Sequence, residues 1–425
     1  MSETIFALSS GAPPAGIAVI RISGGNARHA LDGLGCGELP ARRPVLRRLE
    51  DGAGELLDEA LVLWMPGPGT ATGEDLAELH CHGGRAVVAA VLDALGRLEG
   101  LREAEPGEFT RRAFANGRID LAEAEGLADL LSAETEWQRR GALQAAGGEL
   151  SRRIEDWRER VLVLSAQLEA AIDFADEDDV GELPASFAAE VEALRDELGR
   201  ALERPSADRL REGVRVVFGG PPNAGKSSLF NAILQDGAAI VSAEAGTTRD
   251  VIERPVALGG IPFIFADTAG LRGEGAGEIE AIGVELALEQ MRRADIVLWL
   301  GAPEECPEGA ILVRAKCDLE TGSGNKGEGF PVSAMTGEGL DALVEEIIAR
   351  GSNCLPPPDR IAFNRRQKAV AAEAAEALEH CLVQDDMLLA AENLRRVRMA
   401  FDSMSGRNST EDMLDALFGR FCIGK

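Results

Sequence analysis

The spacing of apolar residues changes character several times along the chain. Residues 1–118 contain short apolar runs, such as residues 17–22 and 61–64, separated by glycine-rich turns, with one helical stretch near residues 86–98. Short runs of this kind are typical of β-strands. This part of the sequence therefore predicts an α/β domain.

From residue 119 the apolar residues recur at spacings of three and four, which is the pattern of helices that bury one face. The first stripe consists of Leu150, Ile154, Trp157, Val161, Leu164 and Leu168, and the second of Phe187, Val191, Leu194 and Leu198. Strands alternating with helices then begin at residue 213 and continue to about residue 350.

Three prolines at residues 356–358 end this alternation, since proline breaks regular structure. Helical spacing returns with Leu378, Leu382, Leu389, Leu394, Val397 and Phe401. We predict an α/β domain at residues 1–118, the first part of a helical domain at 119–210, an inserted α/β domain at 211–352, and the second helical part at 353–425. The inserted domain would interrupt one helical domain that is built from both flanks.

A nucleotide site is indicated where a buried strand at residues 214–218 is followed by GPPNAGKS, residues 220–227. This segment fits the P-loop pattern GxxxxGKS/T. Glycines let the loop backbone point its N–H groups at phosphates, Lys226 would bridge the β- and γ-phosphates, and the Ser227 hydroxyl would bind Mg²⁺. The next residues, SLFNAIL, begin a helix, which is the context that a P-loop requires.

Two further motifs point to GTP. DTAG, residues 267–270, ends a second predicted strand. It places Asp267 where it can hold Mg²⁺ through water and the Gly270 N–H where it can sense the γ-phosphate. AGTTRD, residues 245–250, supplies Thr248 as the threonine that closes on the metal ion when the γ-phosphate is present.

Guanine selection is predicted from a modified NKxD motif. Ala315 stands where the Asn is expected, whereas Lys316 and Asp318 are retained. The Asp318 carboxylate would pair with the base edge, and the loop at Ser333 and Ala334 would bring a backbone N–H to the guanine oxygen. The sequence therefore predicts guanine binding with weaker anchoring of the base.

The catalytic arrangement departs from that of Ras-like enzymes. Such enzymes place a Gln after DTxG to orient the attacking water, but this chain has Leu271, which cannot hold water. The sequence also singles out no arginine finger to neutralise the charge that develops between the phosphates. Another residue must orient the water.

Composition restricts the class of protein. The chain has 425 residues, 45% of them hydrophobic, and a net charge of −28, which argues against broad, nonspecific nucleic-acid affinity. A local basic run at Arg42, Arg43, Arg47 and Arg48 is more simply interpreted as a solvated loop. Seven scattered cysteines without CxxC spacing predict reduced thiols, and the absence of a signal peptide or long apolar stretch predicts a cytoplasmic protein.

Motifs along the whole chain point to one family. They are VIRISG (19–24), TGEDLAELHCHGG (72–84), PGEFTRRAFANGRIDLAEAEGLADLL (106–131), AAIDFADED (170–178), GPPNAGKSSLFNAIL (220–234), AGTTRD, DTAGLR and the terminal FCIGK. The chain resembles the MnmE (TrmE) family of bacterial tRNA modification GTPases. The resemblance implies an N-terminal α/β folate-binding domain and a helical domain that is interrupted by a Ras-like P-loop G domain.

The resemblance also implies a potassium ion in place of an arginine finger. Its ligands would come from Asn223 and from residues 242–247, with Ser242, Glu244 and Thr247 as candidates. The family orients the attacking water with a glutamate after DTAGLR, which corresponds here to Glu280, although a loop of different length leaves Glu278 as a rival. The predicted nucleotide and ion contacts are Asn223, Ala224, Gly225, Lys226, Ser227, Ser228, Ser242, Ala243, Glu244, Ala245, Gly246, Thr247, Thr248, Asp267, Thr268, Ala269, Gly270, Lys316, Asp318, Ser333 and Ala334.

The family works as a homodimer joined through its N-terminal domains. With a flavin-dependent partner protein, in a heterotetramer, it adds an aminomethyl-type group at C5 of the wobble uridine of certain tRNAs. The one-carbon unit is associated with 5-formyltetrahydrofolate or another tetrahydrofolate derivative. The residues that match the folate contacts are Arg21, Glu78, Arg118 and Lys425, with Arg118 replacing a frequent Lys and Ala71 replacing a frequent Tyr.

The tail FCIGK is expected to dock on the N-terminal domain of either subunit of the dimer. Phe421 and Ile423 would be buried there, Gly424 would make a tight bend, and Cys422 would face the pocket as a candidate catalytic thiol or a packing residue. Two other functions remain open. One is a ribosome-assembly or signalling GTPase switch, and the other is a folate-dependent carrier with a weakened G domain, which Ala315 favours.

Overall fold

The computed structural model describes residues 3–173, 183–235, 239–240, 252–267, 288–319, 327–357, 360–384, 386–408 and 410–425. Residues 1–128 and 402–425 form one compact unit, and residues 129–401 form a second. The compact units divide the chain differently from the predicted domains, since the C-terminal 24 residues group with the N-terminal ones.

The strands are β1 (Thr4–Leu8), β2 (Ile17–Ser23), β3 (Val45–Glu50), β4 (Leu56–Met65), β5 (Leu76–His82), β6 (Leu101–Glu103), β7 (Val214–Gly219), β8 (Ala239–Ile240), β9 (Ile252–Leu258), β10 (Ile261–Asp267), β11 (Ile296–Trp299), β12 (Ile311–Ala315) and β13 (Phe330–Val332). The helices are α1 (Ala27–Gly33), α2 (Arg85–Gly96), α3 (Glu108–Ala115), α4 (Leu121–Leu131), α5 (Glu136–Ala146), α6 (Glu149–Asp173), α7 (Phe187–Leu202), α8 (Asp208–Glu212), α9 (Lys226–Gln235), α10 (Leu340–Cys354), α11 (Arg365–Val383), α12 (Met387–Ser405) and α13 (Glu411–Phe418).

The first unit contains a six-stranded sheet in the order β3-β4-β5-β2-β1-β6. Side chains alternate between its two faces, as the strand period requires. One face packs Phe6, Ile20 and Leu79 against Leu31 of α1 and Leu95 of α2. The opposite face is partly open to solvent and carries polar side chains of β2 and β5, so it is available for a ligand or a partner.

The second unit contains a seven-stranded sheet in the order β13-β12-β11-β7-β10-β9-β8. β7 pairs in parallel with both β10 and β11. After β7 the chain forms β8 to β10 on one side of it and then β11 to β13 on the other, so the strand order reverses at β7. Ligands of open parallel sheets bind beyond the carboxyl ends of the strands at such a reversal. The segment after β7 is the predicted P-loop, and it therefore occupies the favoured position in the sheet.

The helical part of the second unit follows the predicted stripes. All ten apolar residues of the two stripes before residue 200 are buried on α6 and α7. α7 packs against α11, which joins a helix before the inserted sheet to one after it. The centre of the Trp157 ring lies 6.2 Å from that of Phe363 and 5.9 Å from that of Phe401. The predicted fold class, with an insertion in one helical domain, is confirmed.

The prediction of the last helical stripe was wrong for one residue. Leu389 was expected on the buried face, but half of its surface is exposed. The helical pattern is interrupted between Val383 and Met387, so α11 and α12 are separate helices with independent buried faces. Within the described part of the chain, no helix has the length and apolar character that crossing a bilayer needs.

Candidate functional sites

The P-loop follows β7 and leads directly into α9. Three of its residues have positive φ, namely Gly220 at +129°, Asn223 at +61° and Gly225 at +101°. A Cβ at Gly220 would lie 2.9 Å from the carbonyl carbon of Leu300, so a side chain there would collide with the backbone after β11. Glycine is required at this position for both reasons.

Lys226, the charged residue of the P-loop, is buried, with 9% of its surface exposed. Its Nζ donates hydrogen bonds to the carbonyl oxygens of Gly220 at 2.9 Å and Pro221 at 2.7 Å. These bonds satisfy the ammonium, since a buried charge needs polar partners. The ammonium is held inside the loop, where incoming phosphates would meet it, while Ser227 and Ser228 are exposed at the start of α9.

The base-recognition segment is tied to the P-loop through its lysine. Lys316 has φ of +62°, and its Nζ donates a hydrogen bond of 2.8 Å to the carbonyl oxygen of Asn223. A Cβ built at Gly225 would lie 3.6 Å from the Cβ of Ala315. The segment with alanine in place of the expected asparagine therefore still packs on the phosphate loop, and Lys316 supplies the polar link.

Asp318 is exposed just beyond β12. Ala315 and Val332 are register partners on β12 and β13, so the loop that follows β13 lies at the same sheet edge as Asp318. Ser333 is fully buried, and its Oγ accepts hydrogen bonds from the backbone N–H groups of Met335 and Thr336 at 3.3 and 3.2 Å. These bonds shape the loop, and Ala334 is half-buried within it.

Several predicted site residues lie outside the described residues. They are Ser242, Ala243, Glu244, Ala245, Gly246, Thr247, Thr248, Thr268, Ala269, Gly270, Glu278 and Glu280. The backbone of Asp267 is described as the last residue of β10. Since β10 runs parallel to β7, Asp267 lies at the same sheet edge as the P-loop.

A second candidate site lies on the open face of the sheet in the first unit. Arg21 of β2 and Glu78 of β5 are register partners, and they form an ion pair with Nη2 2.9 Å from Oε1. The guanidinium also lies 5.9 Å from the centre of the Phe109 ring. Both side chains are largely but not fully buried, with 22% and 17% exposed. This pair could bind a polar, flat ligand at the sheet surface.

Arg118 is exposed and packs on the TGED loop. A Cβ at Gly73 would lie 3.2 Å from the Cγ of Arg118, and Asn116 donates a hydrogen bond of 2.7 Å to the Thr72 carbonyl oxygen. In the same loop Glu74 accepts hydrogen bonds from Ser23 Oγ at 2.9 Å and from an arginine of α3. The structure thus brings Arg118 to the TGED loop without a hydrogen bond to the Arg21–Glu78 pair.

The C-terminal tail docks on the N-terminal segment of its own chain. The Ser9 Oγ donates a hydrogen bond of 2.8 Å to the Gly424 carbonyl oxygen, and Ile423 forms an isolated β-bridge with Pro106. The Ser9 N–H donates a hydrogen bond to the Val19 carbonyl oxygen, so Ser9 continues the pairing of β1 with β2. Docking on this domain is confirmed, and Lys425 ends half-buried beside the end of β1.

The predicted burial of the tail is half right. Phe421 is 5% exposed and packs in a cluster with Leu121, Leu414 and Phe418, but Ile423 is 57% exposed. The expectation for Ile423 was wrong because the tail is held there through its backbone, so its side chain is not needed for docking. Cys422 is exposed, and Gly424 makes the predicted bend with φ of +93°.

Sequence reasoning missed the residues that position the tail. A Cβ at Gly107 would lie 2.2 Å from the Phe418 carbonyl oxygen, so this glycine allows α13 to approach α3. Arg111 of α3 then forms ion pairs with Glu411 and Asp415 of α13. The family motif PGEFTRR contains both residues, but their partners lie about 300 residues away, so the motif alone could not reveal the contact.

Glu108 organises the same region. It accepts hydrogen bonds from Arg102 at 2.6 and 2.8 Å, from Arg112 at 3.0 Å and from the Glu105 N–H at 3.0 Å. Burial alone would raise its pKa, but these donors outweigh burial and lower the pKa from 4.5 to about 2. Glu108 is therefore ionised at neutral pH and joins β6 to α3.

The cluster His80-Cys81-His82 shows the alternation expected of a strand. Cys81 is buried in the core, where desolvation raises the pKa of its thiol to about 12. His82 points to solvent with Nδ1 2.7 Å from Asp58 Oδ1. Within the described ranges, no three or more His, Cys, Asp or Glu side chains are grouped so that they could hold a metal ion.

Comparison with known proteins identifies the family of this chain. The model of the MnmE helical domain matches residues 121–422, and that of the GTP-binding protein TrmE N-terminus matches residues 4–118. The tRNA modification GTPase MnmE of Erythrobacter litoralis is 61% identical over the full length of both chains, and that of Novosphingobium aromaticivorans is 57% identical, also over both full lengths. Among solved structures, the G domain of the T. maritima FeoB iron transporter is 25% identical, with a TM-score of 0.24, over 32% of this chain and 98% of its own. The chain belongs to the MnmE family of tRNA modification GTPases.

Proposed function

We propose that this GTPase depends on potassium and acts with a flavin-dependent partner protein in a heterotetramer. Together they would add a carboxymethylaminomethyl or aminomethyl group to C5 of the wobble uridine of certain tRNAs, using a tetrahydrofolate derivative such as 5-formyltetrahydrofolate. The observation that carries the proposal is the docked tail, in which Gly424 binds Ser9 at the end of β1 and Ile423 bridges Pro106. Cys422 and Lys425 would then lie near the sheet that bears Arg21 and Glu78. A simple GTPase switch gives the tail no such role.

On the nucleotide side, the buried Lys226 ammonium would bind the β- and γ-phosphates, because its position inside the loop is fixed by two carbonyl oxygens. The N–H groups at the start of α9 would add donors, as helix N-termini do for phosphates. Ser227 is exposed at this point, and its hydroxyl suits Mg²⁺, which takes oxygen ligands. Bound Mg²⁺ would neutralise phosphate charge, with Thr248 and Asp267 as further proposed contacts.

Asn223 is the described part of the proposed potassium site. Its carbonyl oxygen is occupied by Lys316 and its side chain is exposed at the tip of the loop, so the amide oxygen remains to face a cation. Residues 242–247 would supply the other ligands. Bound potassium would provide positive charge beside the phosphates, where charge develops during hydrolysis. Glu280 is our candidate for orienting the water and Glu278 its rival, and comparing Glu280→Ala with Glu278→Ala identifies which one does so.

On the folate side, the proposed contacts fit an elongated ligand with an anionic end. Arg21 and Glu78 offer a donor and an acceptor on the sheet face. Arg118 beside the TGED loop and Lys425 after the docked Gly424 would offer positive charge to the anionic end. A bound tetrahydrofolate derivative would supply the one-carbon unit. The chain itself would bind and orient that ligand, and an exposed Cys422 would be available at the same end of the sheet.

The open sheet face also supports the proposed homodimer. Leu46 and Leu61 are register partners on β3 and β4, and Leu61 pairs in turn with His80. Leu46 is 62% exposed, Leu61 40% and the nearby Ile17 62%. Large apolar side chains aligned on one exposed face are typical of an interface. A second copy of the chain would cover them.

Two other functions predict different results. A ribosome-assembly or signalling switch would leave wobble uridines unchanged when the gene is deleted. A folate-dependent carrier with a weakened G domain, which Ala315 would favour, would hydrolyse GTP slowly and without response to potassium. Potassium-stimulated GTP turnover, combined with loss of the modified nucleoside on deletion, supports the proposal, and absence of either result contradicts it.

A further inference from the structure

A cleft in the second unit is lined by several arginines. Its volume is about 620 Å³. We define the arginine cleft by its five basic residues, Arg152, Arg153, Arg200, Arg204 and Arg360. They come from α6, from the end of α7 and the turn after it, and from the segment that leads into α11. Three carboxylates, Glu149, Asp156 and Glu197, also line the cleft, so its lining is basic in a chain of net charge −28.

Contacts across the arginine cleft fix its geometry. Arg204 donates a hydrogen bond of 2.9 Å to the Ile361 carbonyl oxygen, which holds the segment that carries Arg360 against the end of α7. The Arg153 guanidinium lies 5.6 Å from the centre of the Trp157 ring and 3.2 Å from Glu197. These contacts join α6, the end of α7 and the segment that leads into α11.

Two guanidinium groups in the cleft remain free for a ligand. Arg200 and Arg360 are both exposed, and across the described residues neither side chain has a hydrogen-bond or ion-pair partner. In contrast, Glu197 already accepts hydrogen bonds from Trp157 Nε1 at 3.0 Å and from Arg160 at 3.0 Å. Glu197 therefore has hydrogen-bond partners within the protein, whereas the guanidinium groups of Arg200 and Arg360 have none among the described residues. An anion is the ligand that complements them.

We propose that the arginine cleft binds the phosphate backbone of the tRNA. This inference rests on the proposed function, which supplies the tRNA substrate. Guanidinium groups bind phosphates through paired N–H bonds. A chain of net charge −28 repels a polyanion over most of its surface, so binding needs a local basic surface, and the arginine cleft provides one.

The test measures binding of a fluorescently labelled tRNA transcript to the full-length protein by anisotropy, across a series of potassium chloride concentrations. For Arg200→Glu/Arg360→Glu we expect about tenfold weaker binding or more, and a salt slope reduced by about two, because each lost phosphate contact lowers the slope by about one. Arg200→Lys/Arg360→Lys keeps the charge and should retain most of the slope.

The matched control is Arg195→Glu/Arg395→Glu. It changes the net charge equally within the same unit, but Arg195 already pairs with Glu379 at 2.9 Å and Arg395 with Glu392 at 2.7 Å. We expect this control to bind tRNA nearly as the wild type does. All variants should still melt cooperatively and hydrolyse GTP as the wild type does, which verifies folding.

Three results would overturn the inference. They are unchanged affinity and slope in Arg200→Glu/Arg360→Glu, equal weakening by the control pair, or loss of binding to the flavin-dependent partner with normal tRNA binding. Mass spectrometry of wobble uridines in cells that carry the wild-type protein tests the proposed function separately. If the wild type restores the modification while the cleft variant binds tRNA normally, only this inference fails.

Discussion

Gly424 lies directly against the backbone of Leu8. Its φ is +93°, and a Cβ at this position would be 2.1 Å from the Leu8 carbonyl oxygen. Both the left-handed backbone and the lack of space exclude any other residue without displacement. The end of the chain is therefore fitted to the end of β1, and this relationship links the tail to the sheet of the first unit.

Gly424→Ala should release the tail. We expect faster hydrogen exchange in residues 419–425 and loss of most tRNA modification, while GTP turnover stays unchanged because the P-loop belongs to the other unit. The control is Gly54→Ala, since Gly54 also has positive φ, at +80°, but nothing lies within 4 Å of its Cβ position. If hydrogen exchange in the tail becomes faster but tRNA modification stays normal, docking of the tail has no role in the modification.

GTP hydrolysis should require potassium, and sodium should not replace it. Removing the Asn223 amide should lower turnover by at least about tenfold, with a smaller effect on nucleotide affinity, because it would remove charge stabilisation at the phosphates. Asn223→Gly is the preferred variant, since Asn223 has φ of +61° and alanine would add backbone strain. Equal turnover in sodium and potassium would rule out the proposed ion site.

Nucleotide choice should rest on Asp318, and loop geometry on Lys316. Asp318→Asn should shift the preference from guanine to xanthine nucleotides by about 100-fold or more, since a missing hydrogen-bond partner leaves a polar group unpaired. Lys316→Met removes the bond to the Asn223 carbonyl oxygen and should weaken both nucleotides alike. Calorimetry with GTP, XTP and ATP measures this, and wild-type binding of ATP as tight as GTP would refute guanine selectivity.

Glu108 should make the stability of the first unit dependent on acid pH. Its pKa falls from 4.5 to about 2 on folding, so its contribution is complete above pH 4.5 and is lost as pH falls towards 2. The contribution is about 3 kcal/mol. Glu108→Gln should remove it at pH 7 and flatten the pH dependence between these values.

The protein is titrated with urea at several pH values, and each sample is labelled with a short hydrogen-exchange pulse under the same conditions. The exchange of residues 101–115 then reports their unfolding. The control Glu136→Gln removes a carboxylate from an exposed pair with Arg139 in the other unit and should leave these peptides unchanged. A wild-type midpoint for Glu108→Gln at pH 7 would show that its ion pairs are energetically neutral.

Much of the fold could be predicted from local patterns. The stripe from Leu150 to Leu168 has helical spacing, and all of it is buried on α6 because one helix face meets its neighbours. The P-loop could be predicted for a similar reason, since strand, glycines, lysine and helix are contiguous in sequence. In both cases the relevant contacts are set by neighbours along the chain.

Docking of the tail on the N-terminal domain could be predicted from the family resemblance, but the individual contacts between distant residues could not. The Lys316 bond to Asn223 joins residues 93 positions apart, and the Ser9 bond to Gly424 joins residues 415 apart. The exposure of Ile423 has the same origin, because hydrophobicity alone cannot show that a backbone bridge to Pro106 holds the tail. The arginine cleft likewise combines three segments whose separate charges look unremarkable in a charged chain.

The central claim is that nucleotide hydrolysis at the P-loop drives modification of the wobble uridine. Lys226→Met replaces the buried ammonium that binds the Gly220 and Pro221 carbonyl oxygens with an apolar side chain of similar length. The most direct test is mass spectrometry of wobble nucleosides from a deletion strain that carries either the wild type or Lys226→Met. We predict that the wild type restores the C5-modified uridine and that the variant does not, at equal protein levels. Full restoration by Lys226→Met, or an unchanged nucleoside on deletion, would contradict the account.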